Sequence, residues 1–349
     1  MRMQKIKTAL LSFGMSGKIF HAPFLEAHGG YEIAGAWERS QKEIANHYPK
    51  AKSYSSLDVI LQDYSIDLVI VNTPTYTHFD YAKEALLAGK HVVVEKAFTT
   101  TVAEAEELKG IAEKQRRKLA VFQNRRWDSD FKTVQEVYHS GKLGELVEAT
   151  FSFERFNPLL SQKQHKETPG PGAGIVKDLG PHLIDQALLL FGMPASIFAD
   201  IMITREHSRV DDYFEILLYY PKHRVRLRAG YFVKEPSPAY ILHGRKGSFV
   251  KSRSDKQEAR LLAGEKPSLP DWGLESETEQ GILNYLKEGE TVRERIPTHL
   301  GSYLSFYDGM YNSIVHNKAL PVTAQDGLNV MRIIEAAFES SYKKTVIDL

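Results

Sequence analysis

The sequence predicts an α/β protein whose first 125 residues form a doubly wound parallel sheet. In this part of the chain, short and almost wholly apolar segments alternate with segments of helical periodicity. Strands covered on both faces have such a composition, and their alternation with helices is typical of parallel strands joined by right-handed crossovers. After about residue 125, apolar residues alternate with polar ones, which favours a second sheet with one open face.

The predicted elements of the first part follow in order. The strands are Thr8–Phe13, Glu32–Trp37, Asp67–Thr73, His91–Glu95 and Leu119–Gln123. The helices between them are Lys18–Ala27, Gln41–His47, Ser56–Gln62, Phe79–Ala88 and Val102–Gln115. Thr101 and Glu104 have the spacing of a capping box, and Ser55 and Asp58 have the same spacing. Gly89 stands where a left-handed residue would end a helix.

The second part of the chain mixes strands and helices. Its predicted strands are Val147–Glu154, Tyr213–Tyr220, Arg224–Ala229 and Tyr240–Val250. Its predicted helices are Ser129–His139, His182–Leu190, Thr278–Lys287 and Ala324–Ser341, and residues 252–275 are expected to form a loop. An open sheet face is available for pairing with a second copy, so we expect a homodimer or a homotetramer.

The bulk composition limits the function classes. A chain of 349 residues is long enough for two domains, which we place at 1–125 and 126–349, with the last helix (324–341) able to pack back on the first domain. The net charge of +1 gives no argument for a nucleic-acid or membrane partner. The chain has no cysteine, which excludes disulfides and thiolate chemistry, and we predict no metal site. No apolar stretch approaches about 20 residues, so a cytoplasmic protein is expected.

The turn after the first predicted strand carries two of the three glycines of the dinucleotide fingerprint, Gly14 and Gly17, with Ser12 in the first position. Such a loop brings backbone N–H groups and a helix N-terminus to a pyrophosphate. The predicted cofactor contacts here are Phe13, Gly14, Met15, Ser16 and Gly17. The alternative is a plain strand–helix turn.

The end of the second predicted strand, about twenty residues further on, is where a ribose would bind. Glu38 suits the ribose hydroxyls of NAD, whereas Arg39 and Ser40 suit the 2′-phosphate of NADP. We favour NADP, with Glu38 rotated outward, and keep NAD as the alternative. A solvated turn with Ser40 as a helix N-cap remains the other interpretation.

Three residues provide the parts of a hydride-transfer site. Lys96 ends the fourth predicted strand, at the edge where open parallel sheets bind ligands. Asp178 and His182 are four residues apart after a glycine-rich loop, so they share a face if both are helical. An imidazole can take the hydroxyl proton, and an ammonium can stabilise the alkoxide charge. The alternatives are a surface lysine and a histidine that only packs.

Over essentially its whole length the chain resembles the Gfo/Idh/MocA oxidoreductases. Within that family it is most similar to the NADP-linked scyllo-inositol 2-dehydrogenases. The segments that carry the resemblance are Gly14–Phe24, Val92–Lys96, Asn124–Phe131, Asp178–Gln186 and Leu320–Thr323. It implies an N-terminal Rossmann domain and a C-terminal α/β domain with a large, mostly antiparallel sheet. Two departures are Ser12, where the family has glycine, and Ala97, where the family motif Glu-Lys-Pro has proline after the residues that match Glu95 and Lys96.

The resemblance also implies roles for individual residues. Lys96, Asp178 and His182 match the catalytic lysine, aspartate and histidine of the family. Further cofactor contacts would be Thr73, Pro74, His78, Glu95, Lys96, Asn124, Arg126 and Trp127. Substrate contacts would be Lys96, Arg155, Asn157, Asp178 and His182. Trp127 could instead be a core residue, and Arg126 could pair with Asp128 or Asp130.

We therefore expect an NAD(P)-dependent enzyme that moves hydride to or from a polyol, inositol or sugar. Two alternatives stay open: the same chemistry on another sugar or ketone, and a dinucleotide-binding sensor without turnover. A sensor has no need of the proton-transfer groups Lys96, Asp178 and His182, which favours an enzyme.

Overall fold

The computed structural model describes residues 4–39, 42–162 and 164–349. The strands, in chain order β1 to β15, are Ile6–Leu10, Tyr31–Trp37, Lys52–Tyr54, Leu68–Val71, His91–Glu95, Leu119–Phe122, Leu146–Glu154, Ser196–Met202, Tyr213–Tyr219, Arg224–Gly230, Tyr240–Gly244, Gly247–Lys251, Gly281–Lys287, Glu290–Ile296 and Ile347–Asp348. The helices, α1 to α12, are Ala22–His28, Ile44–His47, Leu57–Gln62, His78–Leu87, Val102–Gln115, Ser129–His139, Gln164–Glu167, Ile175–Asp178, Gly180–Phe191, Gln257–Leu262, Leu304–His316 and Ala324–Lys343. A π-helical turn, Gly17–His21, leads into α1, and short 3₁₀ turns occur at Thr75–Thr77, Asn124–Trp127 and Glu277–Glu279.

The contacts between residues divide the chain into two compact units. Unit 1 comprises Met1–Asn124, Gln257–Trp272 and Ser302–Leu328. Unit 2 comprises Arg125–Lys256, Gly273–Gly301 and Asn329–Leu349. The two units differ from a division at residue 125, because the later segments Gln257–Trp272 and Ser302–Leu328 belong to unit 1. None of the helices among the described residues is long and apolar enough to cross a membrane.

Unit 1 contains a six-stranded parallel sheet in the order β3-β2-β1-β4-β5-β6, which confirms the predicted doubly wound fold. Every residue of β4 and of β6 is buried, as expected for strands covered on both faces. The strand order reverses between β1 and β4. A crevice beyond the carboxyl ends of these two strands is where such sheets bind ligands.

Unit 2 contains a nine-stranded sheet in the order β14-β13-β12-β11-β7-β10-β9-β8-β15. Its neighbouring strands are antiparallel except for β7 and β10, which run parallel. Buried and half-buried residues alternate strictly along β9. The predicted second domain with a large, mostly antiparallel sheet is thus confirmed.

Several element predictions are wrong for identifiable reasons. The predicted helix Thr278–Lys287 is mostly strand β13, which pairs with both β12 and β14. Glu288 and Gly289 both have positive φ, of 53° and 90°, and so form the two-residue turn of a β-hairpin. The predicted strand Tyr240–Val250 is likewise a hairpin, β11 and β12. The predicted loop 252–275 contains the short helix α10.

Two of the three predicted helix-end signals are confirmed, and the third is wrong. Thr101 and Glu104 form the predicted capping box at the start of α5. Gly89 has the predicted left-handed conformation, with φ of 76°. The predicted pair of Ser55 and Asp58 is wrong, because Ser56 caps α3 and its Oγ accepts the N–H of Val59. The cap is therefore one residue later than predicted.

We predict that His91 makes unit 1 sensitive to mild acid. Burial, and then the positive charge of Arg117, lower the pKa of His91 to about 4, and its Nδ1 accepts the N–H of Lys118 at 2.9 Å. Between pH 6.5 and 4 the unfolded chain therefore binds a proton that the folded chain does not, so stability falls as the pH falls. In urea titrations at pH 7 and pH 5, His91→Gln should lose less stability than the wild type, by on the order of 1 kcal/mol.

The matched control is His139→Gln, at an exposed residue of α6. It should lose as much stability between the two pH values as the wild type. Equal losses in His91→Gln and the wild type would contradict the prediction.

Candidate functional site

The loop after β1, residues Ser12–Gly17, is called the phosphate loop below, and Asn72 fixes its first residue. Ser12 donates its backbone N–H to Asn72 Oδ1 at 3.0 Å, and Asn72 Nδ2 donates to the Ser12 carbonyl at 2.8 Å. The Oγ of Ser12 accepts the N–H of Gly14 at 3.2 Å. Ser12 thus replaces the first fingerprint glycine with a side chain that stabilises the turn. Sequence reasoning missed Asn72, whose only signal is a polar residue that ends a buried strand.

Gly17 lies where no side chain fits. A Cβ at this position would overlap the carbonyl oxygen of Ser12 and lie 3.1 Å from Asn72 Nδ2. The fingerprint requires such a close approach of its last glycine, because helix and strand must pack tightly around the phosphate site. The first turn of the helix is anchored here, since the N–H of Lys18 bonds to the carbonyl of Gly14 at 3.0 Å.

A cavity of about 340 Å³ opens beside the phosphate loop in unit 1. Six of the predicted cofactor contacts line it: Phe13, Gly14, Glu38, Arg39, Thr73 and Pro74. Its other walls come from Ser12 and from residues that the sequence did not single out: Leu11, Trp37, Glu43, Tyr76, Thr77 and Tyr81. Met15, also predicted, is an exposed loop residue. The cavity therefore combines backbone, carboxylate, guanidinium and aromatic groups at the crevice where the strand order reverses.

The two ribose candidates, Glu38 and Arg39, differ in how they are held. Glu38 is buried, and its Oε1 accepts the N–H groups of Glu43 at 2.7 Å and of Ile44 at 3.1 Å. The carboxylate is thus turned to the first N–H groups of α2, which favour negative charge. The predicted outward rotation of Glu38 is therefore wrong, because these two N–H groups hold its carboxylate inward. The side chain of Arg39 is exposed on the cavity wall. Ser40, the third candidate, lies outside the described residues.

Two buried polar atoms on cavity-lining residues lack hydrogen-bond partners within the part of the chain that the structure describes. They are Glu38 Oε2, an acceptor, and Trp37 Nε1, a donor. Buried polar groups are normally satisfied, so these two atoms mark the side chains of the cavity lining whose hydrogen bonding the described residues leave incomplete. The Trp37 ring also packs edge-on against Tyr81, with ring centroids 5.5 Å apart.

Glu95, at the end of β5, is the centre of a buried polar network. Its Oε1 accepts from Ser16 Oγ at 2.6 Å and faces His21 Nε2 at 3.0 Å, while Oε2 accepts the N–H of Lys96 at 3.2 Å. His21 Nδ1 lies 2.6 Å from the hydroxyl of Tyr307. The carboxylate therefore binds the phosphate loop on one side and the backbone of Lys96 on the other. Sequence reasoning missed His21 and Tyr307, since their partners are distant in the chain.

The charge state of this network follows from its surroundings. Burial alone would raise the pKa of Glu95, but hydrogen bonding to His21, the charge of His21 and hydrogen bonding to Ser16 lower it below the usual value. Burial, and then the negative charge of Glu95, raise the pKa of Tyr307 well above its usual value. Glu95 is thus an anion and Tyr307 a neutral phenol at neutral pH. A fixed anion here keeps its three donors in place.

His78 joins the segments that follow β4 and β5. Its Nε2 lies 2.8 Å from the carbonyl of Thr73, and its Nδ1 lies 3.1 Å from the carbonyl of Phe98. The side chain is buried, and burial lowers the pKa of the imidazole. His78 is not among the residues that line the described cavity. The neutral ring has one N–H, so it donates to one of these two carbonyls. The Lys96–Phe98 segment beside it has a cis peptide bond between Lys96 and Ala97.

The predicted contacts at the start of unit 2 are anchored differently. Arg126 forms a bidentate ion pair with Asp185, with Nε and Nη2 each 2.7 Å from a carboxylate oxygen. The alternative partners considered for Arg126, Asp128 and Asp130, are therefore not the carboxylates in this pair. Trp127 is half-buried, and Asn124, the last residue of the preceding segment in unit 1, is buried.

Asp178 and His182 lie on two consecutive helices of unit 2. Asp178 is the last residue of α8, and His182 is the third residue of α9, with Leu179 between the helices. His182 is buried, whereas Asp178 is partly exposed and pairs with Lys166, whose Nζ lies 3.3 Å from Asp178 Oδ2. Both residues are helical, as the predicted shared face requires, although Leu179 separates their helices.

Tyr231, which sequence reasoning missed, lies among the charges near Asp178. Burial raises the pKa of its hydroxyl, the negative charge of Asp178 raises it further, and the positive charges of Arg155 and Arg205 oppose the shift. The carbonyl of Tyr231 accepts the N–H of Asn157 at 2.8 Å. The predicted substrate contacts Arg155, Asn157 and Asp178 thus share Tyr231 as a neighbour.

Arg205 holds the loop that follows these substrate candidates. Its guanidinium donates to Asp212 at 2.9 Å, to both oxygens of Glu167 at 3.0 and 3.1 Å, and to the carbonyl of Leu159 at 3.1 Å. Glu167 in turn accepts the N–H of Ser161 at 2.7 Å. Arg205 is buried and fully engaged, so its role is to fix the loop between β7 and α8.

Comparison with known proteins agrees with this architecture. Residues 6–123 match the family model described as the NAD-binding Rossmann fold of an oxidoreductase family, and residues 138–349 match the C-terminal α/β domain of the same family. A scyllo-inositol 2-dehydrogenase (NADP⁺) of Bacillus subtilis is 39% identical, over 100% of this chain and 97% of its own length. An uncharacterised oxidoreductase of Escherichia coli is 38% identical, over 99% of each chain.

Solved structures give the same result. One from Bacillus subtilis, described as an oxidoreductase, has a TM-score of 0.97 and 39% identity, covering 100% of this chain and 99% of that one. Another, from Bacteroides fragilis, has a TM-score of 0.91 and 44% identity, covering 99% of this chain and 100% of that one.

We predict that Gly17→Ala weakens dinucleotide binding at least about tenfold, because the new Cβ displaces the Ser12 carbonyl and opens the phosphate loop. Titration calorimetry with NADP and NAD measures the effect. The matched control is Gly110→Ala in the middle of α5, where a Cβ meets no atom within 4 Å and alanine favours the helix. Unchanged affinity in Gly17→Ala would show that this loop does not hold the dinucleotide.

Proposed function

Because the chain belongs to the Gfo/Idh/MocA oxidoreductase family, we propose that it transfers hydride between NADP and a hydroxyl or ketone of a polyol, inositol or sugar. The observation that carries this proposal is the cavity beside the phosphate loop, whose lining includes both kinds of ribose contact, Glu38 and Arg39. The activity of the Bacillus subtilis relative supports an inositol-type substrate for this chain. Another sugar or ketone as substrate is the alternative.

The residues around the cavity fit a dinucleotide. Glu38 Oε2 can accept from a ribose hydroxyl, and Trp37 Nε1 can donate to the ligand, which would satisfy both buried atoms. Because two N–H groups of α2 already bind the other oxygen of Glu38, its negative charge is partly compensated. Arg39 is then the exposed charge on this wall and suits a 2′-phosphate. Arg39 supports NADP, whereas the carboxylate of Glu38 also suits the ribose of NAD, which stays the alternative cofactor.

Three side chains would carry the chemistry at the substrate carbon. NADP, when bound, supplies the hydride acceptor or donor. In the oxidative direction His182 takes the hydroxyl proton as the carbonyl forms, and in reduction it returns that proton. The ammonium of Lys96 stabilises the negative charge that develops on the same oxygen. Asp178 orients these groups, and Glu95 positions Lys96 through its backbone N–H.

We predict that Lys96→Ala and His182→Ala each lower kcat about 10²–10⁴-fold while NADP still binds, because each removes one group that stabilises the transition state. Nicotinamide absorbance is followed with a panel of inositols, sugars and their keto forms, and NADP affinity is measured by calorimetry. Lys83→Ala, at a lysine of α4 that pairs with Glu107, is the control and should keep the wild-type rate. Near-wild-type rates in both site variants would reject the assignment.

We predict that Arg39→Ala weakens NADP at least about tenfold more than NAD, because the guanidinium would contact only the 2′-phosphate. The measurement is the dissociation constant of each dinucleotide. Arg116→Ala, an exposed arginine of unit 1 that does not line this cavity, should change neither constant. An equal loss for the two cofactors would rule out the phosphate role of Arg39.

A further inference from the structure

We propose that the substrate carries an anionic group, a carboxylate or a phosphate, and that the guanidinium of Arg155 binds it. This inference deepens the proposed function and rests on it, since Arg155 is one of the substrate candidates of unit 2. It specifies which members of the polyol and sugar class the site would prefer.

Three guanidinium groups pack around one aromatic ring in unit 2. The Cζ atoms of Arg125, Arg155 and Arg253 lie 5.2, 4.7 and 4.2 Å from the ring centroid of Phe153. Phe153 itself is buried. Like charges held this close repel one another unless counter-charges or hydrogen-bond acceptors compensate them. Each of the three positive charges therefore needs a counter-charge or an acceptor nearby.

Two of the three have partners inside unit 2. Arg125 pairs with Asp128 at 3.3 Å, and Arg253 lies 3.9 Å from the same carboxylate. Arg253 also donates to the carbonyl of Ser152 at 3.0 Å and to the hydroxyl of Tyr240 at 3.1 Å. These two side chains are therefore held by the interior of the unit, and a single aspartate serves both.

Arg155 is different, because its backbone is fixed while its charge faces outward. Its N–H bonds to the carbonyl of Gly230 and its carbonyl accepts the N–H of Val233, both at 3.0 Å. The residue is exposed, and within residues 4–39, 42–162 and 164–349 no carboxylate lies within ion-pair distance of its guanidinium. Glu154, its neighbour in sequence, pairs with Arg228, and Glu167 pairs with Arg205.

Stacking on Phe153 leaves the binding edge of Arg155 available. A guanidinium on an aromatic ring uses its face, whereas its N–H donors project in the plane of the group. That edge matches two oxygens of a carboxylate or a phosphate, and such bidentate pairs add geometric specificity as well as energy. A neutral polyol would use the donors but leave the positive charge without a counter-ion.

The position of Tyr231 connects this cation with the proposed reaction centre. Its hydroxyl is within electrostatic reach of both Asp178 and Arg155, as the opposing effects of their charges on its pKa indicate. Asp178 already has a cation, Lys166, so its charge does not cancel that of Arg155. A substrate can therefore place its reacting carbon toward Asp178 and its anionic group at Arg155.

The test compares three probes with the same sugar ring: D-glucose, D-glucuronate and D-glucose 6-phosphate. Each is titrated calorimetrically into the full-length protein, with and without NADP. We expect at least one anionic probe to bind at least about tenfold more tightly than glucose. That preference should shrink when the ionic strength rises from about 0.05 to about 0.5 M. The carboxylate and phosphate arms identify which anion the site takes.

Variants separate the role of Arg155 from a structural one. Arg155→Gln should weaken the preferred anionic probe at least about fivefold more than it weakens glucose, and Arg155→Lys should restore part of the loss. Arg293→Gln, at an exposed arginine of β14, is the control and should change neither affinity. Thermal unfolding checks that all variants are folded.

Three results would overturn the inference: equal affinities for the neutral and anionic probes, no saturable binding of either anionic probe, or equal losses for both kinds of probe in Arg155→Gln. The proposed function fails on a separate observation, the absence of nicotinamide turnover with every polyol, sugar and keto form of the panel. The two failures are distinguishable because the binding assay needs no turnover.

Discussion

The carboxylate of Glu95 is the constraint on which the candidate site of unit 1 depends. It binds the hydroxyl of Ser16 in the phosphate loop, faces the ring of His21 at the start of the following helix, and accepts the N–H of Lys96. A buried anion is expensive unless donors surround it, so these contacts stabilise each other. The same charge therefore fixes the anion-binding turn and the residue proposed to act on substrate. The neutral phenol of Tyr307 extends the network through its contact with the ring of His21.

Unit 2 uses its arginines in two contrasting ways. Arg205 is buried, and its donors are divided between Asp212, Glu167 and a backbone carbonyl, so that it fixes a loop and has little left for a ligand. Arg155 has a fixed backbone and an exposed guanidinium. The difference between them lies in the carboxylates that the chain supplies nearby rather than in the residue type. An arginine whose donors are bonded to the protein has a structural role, whereas an exposed arginine without a carboxylate nearby can recognise a ligand.

The sequence was most informative where local physics decides the structure. The apolar runs that became β4, β5 and β6, and the capping box of Thr101 and Glu104, depend on nearby residues and were predicted correctly. Strand β13 was mistaken for a helix because its pairing with β12 and β14 is a tertiary contact that periodicity over ten residues does not contain. The hairpin turn at Glu288 and Gly289 was the local signal that could have corrected it.

The site shows the same division. The phosphate loop was visible as a glycine pattern, because the residues of the fingerprint lie within six positions of one another. Asn72, His21 and Tyr307 were not, because their partners are 60 or more positions away in the chain. The orientation of Glu38 also depended on the first N–H groups of α2, a contact that spacing alone does not specify.

The assignment of Ser302–Leu328 to unit 1 has a practical consequence for dissecting the protein. Within that unit, Tyr307 of α11 stacks on Phe24 of α1, with centroids 5.9 Å apart, and Phe306 packs against Phe122 of β6 at 4.9 Å. Tyr31 donates its phenol proton to the backbone of Tyr307 at 2.7 Å. An expression fragment ending near residue 125 would expose this aromatic flank to water. An autonomous nucleotide-binding module would have to be assembled from discontinuous pieces, for instance by grafting 302–328 through an artificial tether.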